Sequence, residues 1–251
     1  MDDVASPADT GAVAHLIVDA LATDLCVEGD DGHHLARARR LRVGEMVTAA
    51  DGHGAWRSYT VTSTGRGSVA LSASGATRRE PILVPGLAVA FALTKGTKPE
   101  VVVRQLTELG VDALIPVLAE RSVVRPKRAH GDPMPERLAR VAREAAMQSR
   151  RARLPEIGAP CALLALVERP DLVVAEREAE VRAVVPAEPA SGAWTLLVGP
   201  EGGFSPAEVE ALATVPRLAV GPQVLRAETA AVAAASLLTV RRRPGGASRA
   251  I

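Results

Sequence analysis

Aromatic side chains are scarce in this sequence: two Trp, one Tyr and two Phe make up 2% of the chain. A surface that stacks nucleic-acid bases on rings has little to work with here, so any such recognition must lean on phosphates and shape. Cysteine is as rare. Cys26 and Cys161 have no metal-like spacing and read as two unpaired, inert thiols. No apolar run reaches the length of a membrane span, and the acidic start Met1-Asp2-Asp3 lacks the basic segment of a signal peptide. The expectation is a cytoplasmic protein without membrane association. The adjacent pair His33-His34 points to two different helix faces and has no partner one turn away, so no metal is expected. Neither G-x-G-x-x-G nor G-K-[ST] occurs, which argues against a phosphate-loop nucleotide enzyme. A net charge of +1 gives no global pull on polyanions.

What is present is the balance of a globular chain. Hydrophobic residues are 47% and charged residues 24% of 251, enough core for one large domain and a small one. The runs His15–Val18, Leu25–Val27, Met46–Ala50, Trp56–Val61 and Ser68–Ser72 are short, strand-like and separated by turn signals. Their spacing predicts a small β-barrel over residues 1–80. Ala76–Gly86, with two prolines, reads as a linker. The pattern then changes: strand-like runs at Leu87–Leu93, Val111–Leu118, Leu172–Ala175, Thr195–Val198 and Leu218–Val220 alternate with helical stretches. A long amphipathic helix is expected over Pro135–Arg151, with Leu138, Val141, Ala145 and Met147–Gln148 inward and Arg137, Arg140 and Arg143 outward. Alternation of this kind predicts a mostly parallel sheet with helices on both faces over residues 81–251, and a disordered tail from about residue 244.

The stretch Leu196–Ala231 carries the densest signal. An apolar run breaks on Gly199-Pro200-Glu201-Gly202-Gly203, and helix-start chemistry follows: Ser205 as cap, Pro206 at the first position and Glu208 completing the S-x-x-E box. A second run, Leu218–Val220, breaks on Gly221-Pro222 and leads into a helix over Glu228–Val240. Two strand-to-loop junctions at one end of a sheet are where an α/β protein builds a ligand site. Basic residues cluster apart from this stretch. Arg121, Arg125, Lys127 and Arg128 lie within eight residues that contain no acid, Arg150, Arg151 and Arg153 follow the long helix, and Arg37, Arg39, Arg40 and Arg42 lie in the N-terminal part. One such cluster is usually a solvated face; three, split between two domains, favour a shared groove for a polyanion.

Taken in order, HHLARARRLRVGE (33–45), DGHG (51–54), LTKGTKPEVVVRQLTELGVDALIPVLAERSVV (93–124), REAAMQSRRARLPEI (143–157), LVGPEGGFSPAEVE (197–210) and VLRAETAA (224–231) resemble the RsmE family of 16S ribosomal RNA uridine-N3 methyltransferases, of the SPOUT class. The resemblance runs through nearly the whole chain. It implies a PUA-like RNA-binding β-barrel followed by a methyltransferase domain with a deep trefoil knot. It also implies S-adenosyl-L-methionine as cofactor, a homodimer, and 16S ribosomal RNA of the 30S subunit as partner, methylated at N3 of one uridine (the uridine 1498 equivalent). The matching cofactor positions are Leu197, Val198, Gly199, Pro200, Glu201, Gly202, Gly203, Val220, Gly221, Val224, Leu225, Arg226, Glu228, Thr229 and Ala230. Arg226 and Glu228 are the candidate catalytic residues. His33, His34, Arg37, Arg40, Lys95, Arg121, Arg125, Gln148, Arg150 and Arg151 are the candidate RNA contacts. Gln223 stands where the family often has arginine. A SPOUT-class transfer RNA methyltransferase and a non-catalytic RNA-binding protein are the alternatives. Many transfer RNA members lack the HHL barrel segment, and a binding module leaves the GPEGGF and LRAETA loops unexplained.

Overall fold

Strands form where the short apolar runs of the N-terminal part place them. In the computed structural model, residues 6–29, 32, 41–122, 134–177 and 186–245 are described. The chain divides into two units, Met1–Pro81 with Arg143–Leu154, and Ile82–Ala142 with Pro155–Ile251.

The first unit contains β1 (Ala14–Ile17), β2 (Asp24–Val27), β3 (Met46–Ala50), β4 (Ala55–Thr64), β5 (Val69–Ala73) and β6 (Arg78–Arg79). They form one sheet in the order β1-β3-β4-β5-β2, with β6 on β4. β1 runs parallel to β3 and the remaining pairs are antiparallel. β5 buries Val69 and Leu71 and leaves Ala70 and Ser72 half-buried, the period-two signature of a one-sided sheet. With Val47, Ala49, Tyr59 and Val61 they make the core. The predicted barrel is an open half-barrel instead: among the described residues no ladder joins the edge strands β1 and β2. Each is only four residues long, and a cavity of about 380 Å³ is lined by Leu16 and Ile17 of one and Leu25–Val27 of the other.

Residues Arg143–Leu154 complete this unit from far along the chain. The DGHG turn receives them: Asp51 Oδ1 accepts from the amides of His53 (2.7 Å) and Ala55 (3.0 Å). The shaped turn then exchanges backbone bonds, Leu154 N to Gly52 O at 2.9 Å and Gly54 N to Ala152 O at 3.0 Å. Arg143 is not a solvent arginine, because its Nη2 donates to the Ile17 carbonyl at 2.7 Å.

The second unit contains β7 (Leu83–Val84), β8 (Gly86–Ala92), α1 (Lys98–Glu108), β9 (Ala113–Leu118), the first part of α2 (Met134–Ser149), β10 (Glu156–Ile157), β11 (Cys161–Ala162), β12 (Leu172–Glu176), β13 (Ala193–Val198), α3 (Pro206–Ala211), β14 (Arg217–Ala219), α4 (Ala227–Thr239) and β15 (Arg243–Pro244). Its main sheet has the order β10-β9-β8-β13-β12-β14, with β11 on β9, and every ladder is parallel. A parallel sheet needs cover on both faces. Leu87, Val89, Phe91, Trp194 and Leu196 pack on one side with α1, α2 and α4. Ala90, Leu197 and Val174 pack on the other with Leu163 and Leu166 of a 3-10 turn and with Leu212 after α3. Each fully buried Leu or Val contributes about 1.5–3 kcal/mol.

The expected linker is not featureless, and the expected tail beyond residue 245 lies outside the described residues. β7 and β15 pair, and Gly245 N donates to Ile82 O at 2.7 Å. The Arg242 guanidinium explains why: it is buried, donates to the carbonyls of Pro85 (2.8 Å) and Gly110 (2.7 Å), and pairs with Asp112. A buried charge held this way fixes both segments.

Candidate active site

In the sheet order, β13, β12 and β14 are neighbours, so their C-terminal ends lie side by side. A cavity of about 540 Å³ opens there. That size suits a small-molecule ligand. Its walls are mostly apolar, from Val198, Phe204, Val220, Leu225 and Ala230, with Glu176, Arg177, Glu201 and Gln223 also lining it.

The first lip is the predicted glycine loop. Gly203 has φ 68° and donates to the Pro200 carbonyl at 2.9 Å, and Gly221 in the second lip has φ 149°. Both conformations disfavour a side chain. The S-x-x-E box forms as read: Glu208 N donates to Ser205 Oγ at 3.3 Å, and Ser205 N donates to Glu208 Oε2 at 2.8 Å. The other oxygen, Oε1, accepts from Glu120 N at 2.8 Å. One buried carboxylate thus caps α3 and ties the turn after β9 to the glycine loop. From that turn Arg121 Nη1 donates to the Gly202 carbonyl at 3.2 Å.

A charged cluster stands beside the loop. Lys98 Nζ, at the first residue of α1, lies 2.5 Å from Glu201 Oε1 and 3.9 Å from Glu228 Oε2. The hydrogen bond to Glu201 raises the lysine above its ordinary pKa and holds the glutamate below the ordinary carboxylate value. The Arg226 charge is close enough to oppose that of Lys98. Glu228 Oε2 is shut off from solvent and has no hydrogen-bond partner among the described residues.

Of the residues read from sequence, Val198, Gly199, Pro200, Glu201, Gly203, Val220, Gly221, Val224, Leu225 and Ala230 line the cavity. Leu197 is buried in the core on one sheet face. Gly202 faces Arg121, with space for a Cβ at ordinary contact distance. Arg226 is the exposed N-cap of α4, Glu228 and Thr229 sit in its first turn, and none of the three lines the cavity. Lys95 is exposed in the turn after β8, in the same unit as Arg121. Gln148, Arg150 and Arg151 belong to the first unit; Gln148 is exposed rather than inward, and Arg150 has φ 59° at the end of α2. His33, His34, Arg37, Arg40 and Arg125 lie outside the described residues. Sequence reading missed Lys98 and the end of β12. Lys98 stood inside a quoted motif, but no spacing signal links it to two glutamates far along the chain. β12 reaches the site because strand order differs from chain order. Among the described residues no group of His, Cys, Asp or Glu is arranged to hold a metal, and no helix is long and apolar enough to cross a membrane.

Comparison with known proteins gives this architecture a class. A family model described as an RNA methyltransferase domain matches residues 83–239, and one described as an RNA methyltransferase PUA domain matches residues 27–73. Ribosomal RNA small subunit methyltransferase E of Mycobacterium bovis is 36% identical, over 90% of this chain and 86% of its own length. The protein of the same name from Bacillus subtilis is 29% identical, over 87% and 90%. A solved structure of a ribosomal RNA small subunit methyltransferase E from Neisseria gonorrhoeae, bound to S-adenosyl methionine, shares the fold with a TM-score of 0.77 at 21% identity, covering 91% of this chain and 97% of that one. The chain belongs to the ribosomal RNA small subunit methyltransferase E (RsmE) family.

Proposed function

We propose that this chain methylates N3 of one uridine of 16S ribosomal RNA in the small subunit, with S-adenosyl-L-methionine as methyl donor. The observation that carries the reading is the cavity at the ends of β13, β12 and β14, in a chain of this family. The residues fit the cofactor. Apolar walls from Val198, Val220 and Leu225 suit an adenine, Gly203 and Gly221 let backbone approach it, and Glu201 and Glu176 offer acceptors. When bound, the cofactor supplies a methyl group on a positively charged sulfur. The chain's own residues must then deal with the uracil, whose N3 proton is weakly acidic and whose oxygens gain negative charge as that proton leaves. Arg226, permanently charged, stabilises that charge, and Glu228 orients the base. Lys95, Arg121, Gln148, Arg150 and Arg151, with His33, His34, Arg37, Arg40 and Arg125, hold the RNA. Neutralising the arginines among them should weaken subunit binding and flatten its salt dependence.

Membership of the family supports a trefoil knot, a cytoplasmic location and a homodimer as parts of this proposal. The alanine stripe of α4 does not by itself argue for a dimer, because Ala231, Ala234, Ala235 and Leu238 are buried in the unit's own core. Light scattering of the purified protein tests the dimer, and a monomer mass at micromolar concentration would remove it. The decisive experiment is mass spectrometry of 16S RNA from a strain lacking the gene, with and without its restoration. N3-methyluridine should vanish and return. An unchanged mark, or one lost from transfer RNA instead, would overturn the reading.

A further inference from the structure

We propose that Lys98 is a positioning residue of the methyl transfer and acts through Glu228, an inference that rests on the reading of the site given above. Lys98 belongs to α1, whereas Glu201 lies in the first cavity lip and Glu228 in the opening turn of α4. Three separate stretches of chain therefore meet at one ammonium group. Its two contacts are unequal. At 2.5 Å it is hydrogen-bonded to Glu201, and at 3.9 Å it faces Glu228 Oε2 without bonding to it.

That inequality is informative. A carboxylate oxygen removed from water and given no donor is unfavourable unless a charge or a donor answers it. Glu228 Oε2 is such an oxygen, on a side chain only 18% exposed. Lys98 supplies that charge while its close contact is held by Glu201, so the lysine fixes where the Glu228 carboxylate stands. Arg226, the residue at the N-cap of the same helix, flanks the cluster with a second positive charge. Lys98 itself is no base, since its bond to Glu201 keeps it protonated at neutral pH. Its work is to hold the Glu228 side chain in place for the reacting base, with Glu201 as the anchor that stops the lysine from taking Glu228 for itself.

If Lys98 acts through Glu228, removing both costs no more than removing Glu228 alone, because coupled residues are not additive. The test is single-turnover methylation of purified small subunits that lack the mark, with Lys98→Met, Lys98→Arg, Glu228→Gln and the double variant Lys98→Met/Glu228→Gln. Lys98→Met should slow the reaction about tenfold or more. Cofactor affinity by calorimetry should stay within about threefold, the mark of an interaction that matters in the transition state. Lys98→Arg should keep most of the rate, and the double variant should be no slower than Glu228→Gln. Multiplied losses in the double variant would overturn the inference, as would a wild-type rate in Lys98→Met or in Glu228→Gln. A fall in Lys98→Met matched by an equal loss of cofactor affinity would do the same, by making the lysine a brace for the cavity lip. Wild-type protein that leaves the uridine unmethylated would remove the proposed function and this inference with it; an active wild type beside any of the other failures removes this inference alone.

Discussion

The two lips of the cavity are held in opposite ways. The first, residues 199–205, is tied at four points: the Gly203–Pro200 turn, the Ser205–Glu208 box, Lys98 on Glu201 and Arg121 on the Gly202 carbonyl. The second, residues 220–226, is looser. Val224 is 76% exposed, Gln223 is exposed, and the Arg226 side chain makes no capping bond to α4. A lip with fixed backbone and small residues suits the cradling of a ligand; a lip with unspent polar side chains suits work on the substrate. Binding and chemistry should therefore separate between them.

The largest expected effect breaks the first lip. Glu208→Ala leaves the buried amide of Ser205 and the part-buried amide of Glu120 without their acceptor and should cost about 3 kcal/mol of stability. Cofactor affinity should fall at least about tenfold, since the lip lines the cavity. Urea unfolding and calorimetry read the two, and a variant with wild-type values in both would show that the lip does not depend on this carboxylate. Next comes the second lip. Arg226→Ala should lower single-turnover methylation roughly a hundredfold, the scale of losing one charge-stabilising donor. Cofactor affinity should change far less; a rate loss explained wholly by weaker cofactor binding would take Arg226 out of the chemistry and end the contrast between the lips.

A third effect, from the first unit, shows whether acid can tell the two regions apart. His15 is buried, with Nε2 donating to the Arg151 carbonyl at 3.0 Å and Nδ1 facing Thr48 Oγ1 at 2.8 Å. Burial lowers its pKa from 6.5 to about 4. The folded state thus binds fewer protons than the unfolded state between those values, so stability is full above pH 6.5 and is lost as pH falls toward 4. By pH 5 the loss should be about 2 kcal/mol. The Lys98–Glu201 pair should survive that range, because its carboxylate titrates below the ordinary value. Urea midpoints between pH 7.5 and pH 5 should fall in the wild type and fall less in His15→Gln; parallel slopes would clear His15. The smallest effect is Gln223→Ala, which should cost less than about tenfold in rate, as for a rim contact. A loss equal to that of Arg226→Ala would mean that the second lip works as one surface.

Much of this was open to reading in the sequence because it is local. Ser205, Pro206 and Glu208 specify a helix start within four residues, and the observed cap has that form. Met46–Ala50 is a strand with the bounds its apolar run suggests. The glycine-broken loops mark the ends of strands, and most of the residues named there line the cavity. The open half-barrel was not legible. Closure depends on whether two edge strands meet, and no spacing along the chain records that.

The sequence by itself determined the elements and the chemistry available: where strands stop, which helix starts with a capping carboxylate, which residues carry charge. Tertiary structure decided which of those charges meet. Arg153 counts among the basic residues in sequence, yet its Nη1 donates to the His53 carbonyl at 2.8 Å and its Nη2 to the Glu80 carbonyl at 3.0 Å. Lys98 passes for an ordinary helix-start lysine, yet it meets Glu201 and Glu228 from far along the chain. The physical reason is the same in both cases. Capping and periodicity are set by neighbours a few bonds away, whereas a polar contact between distant segments exists only once the fold has brought them together.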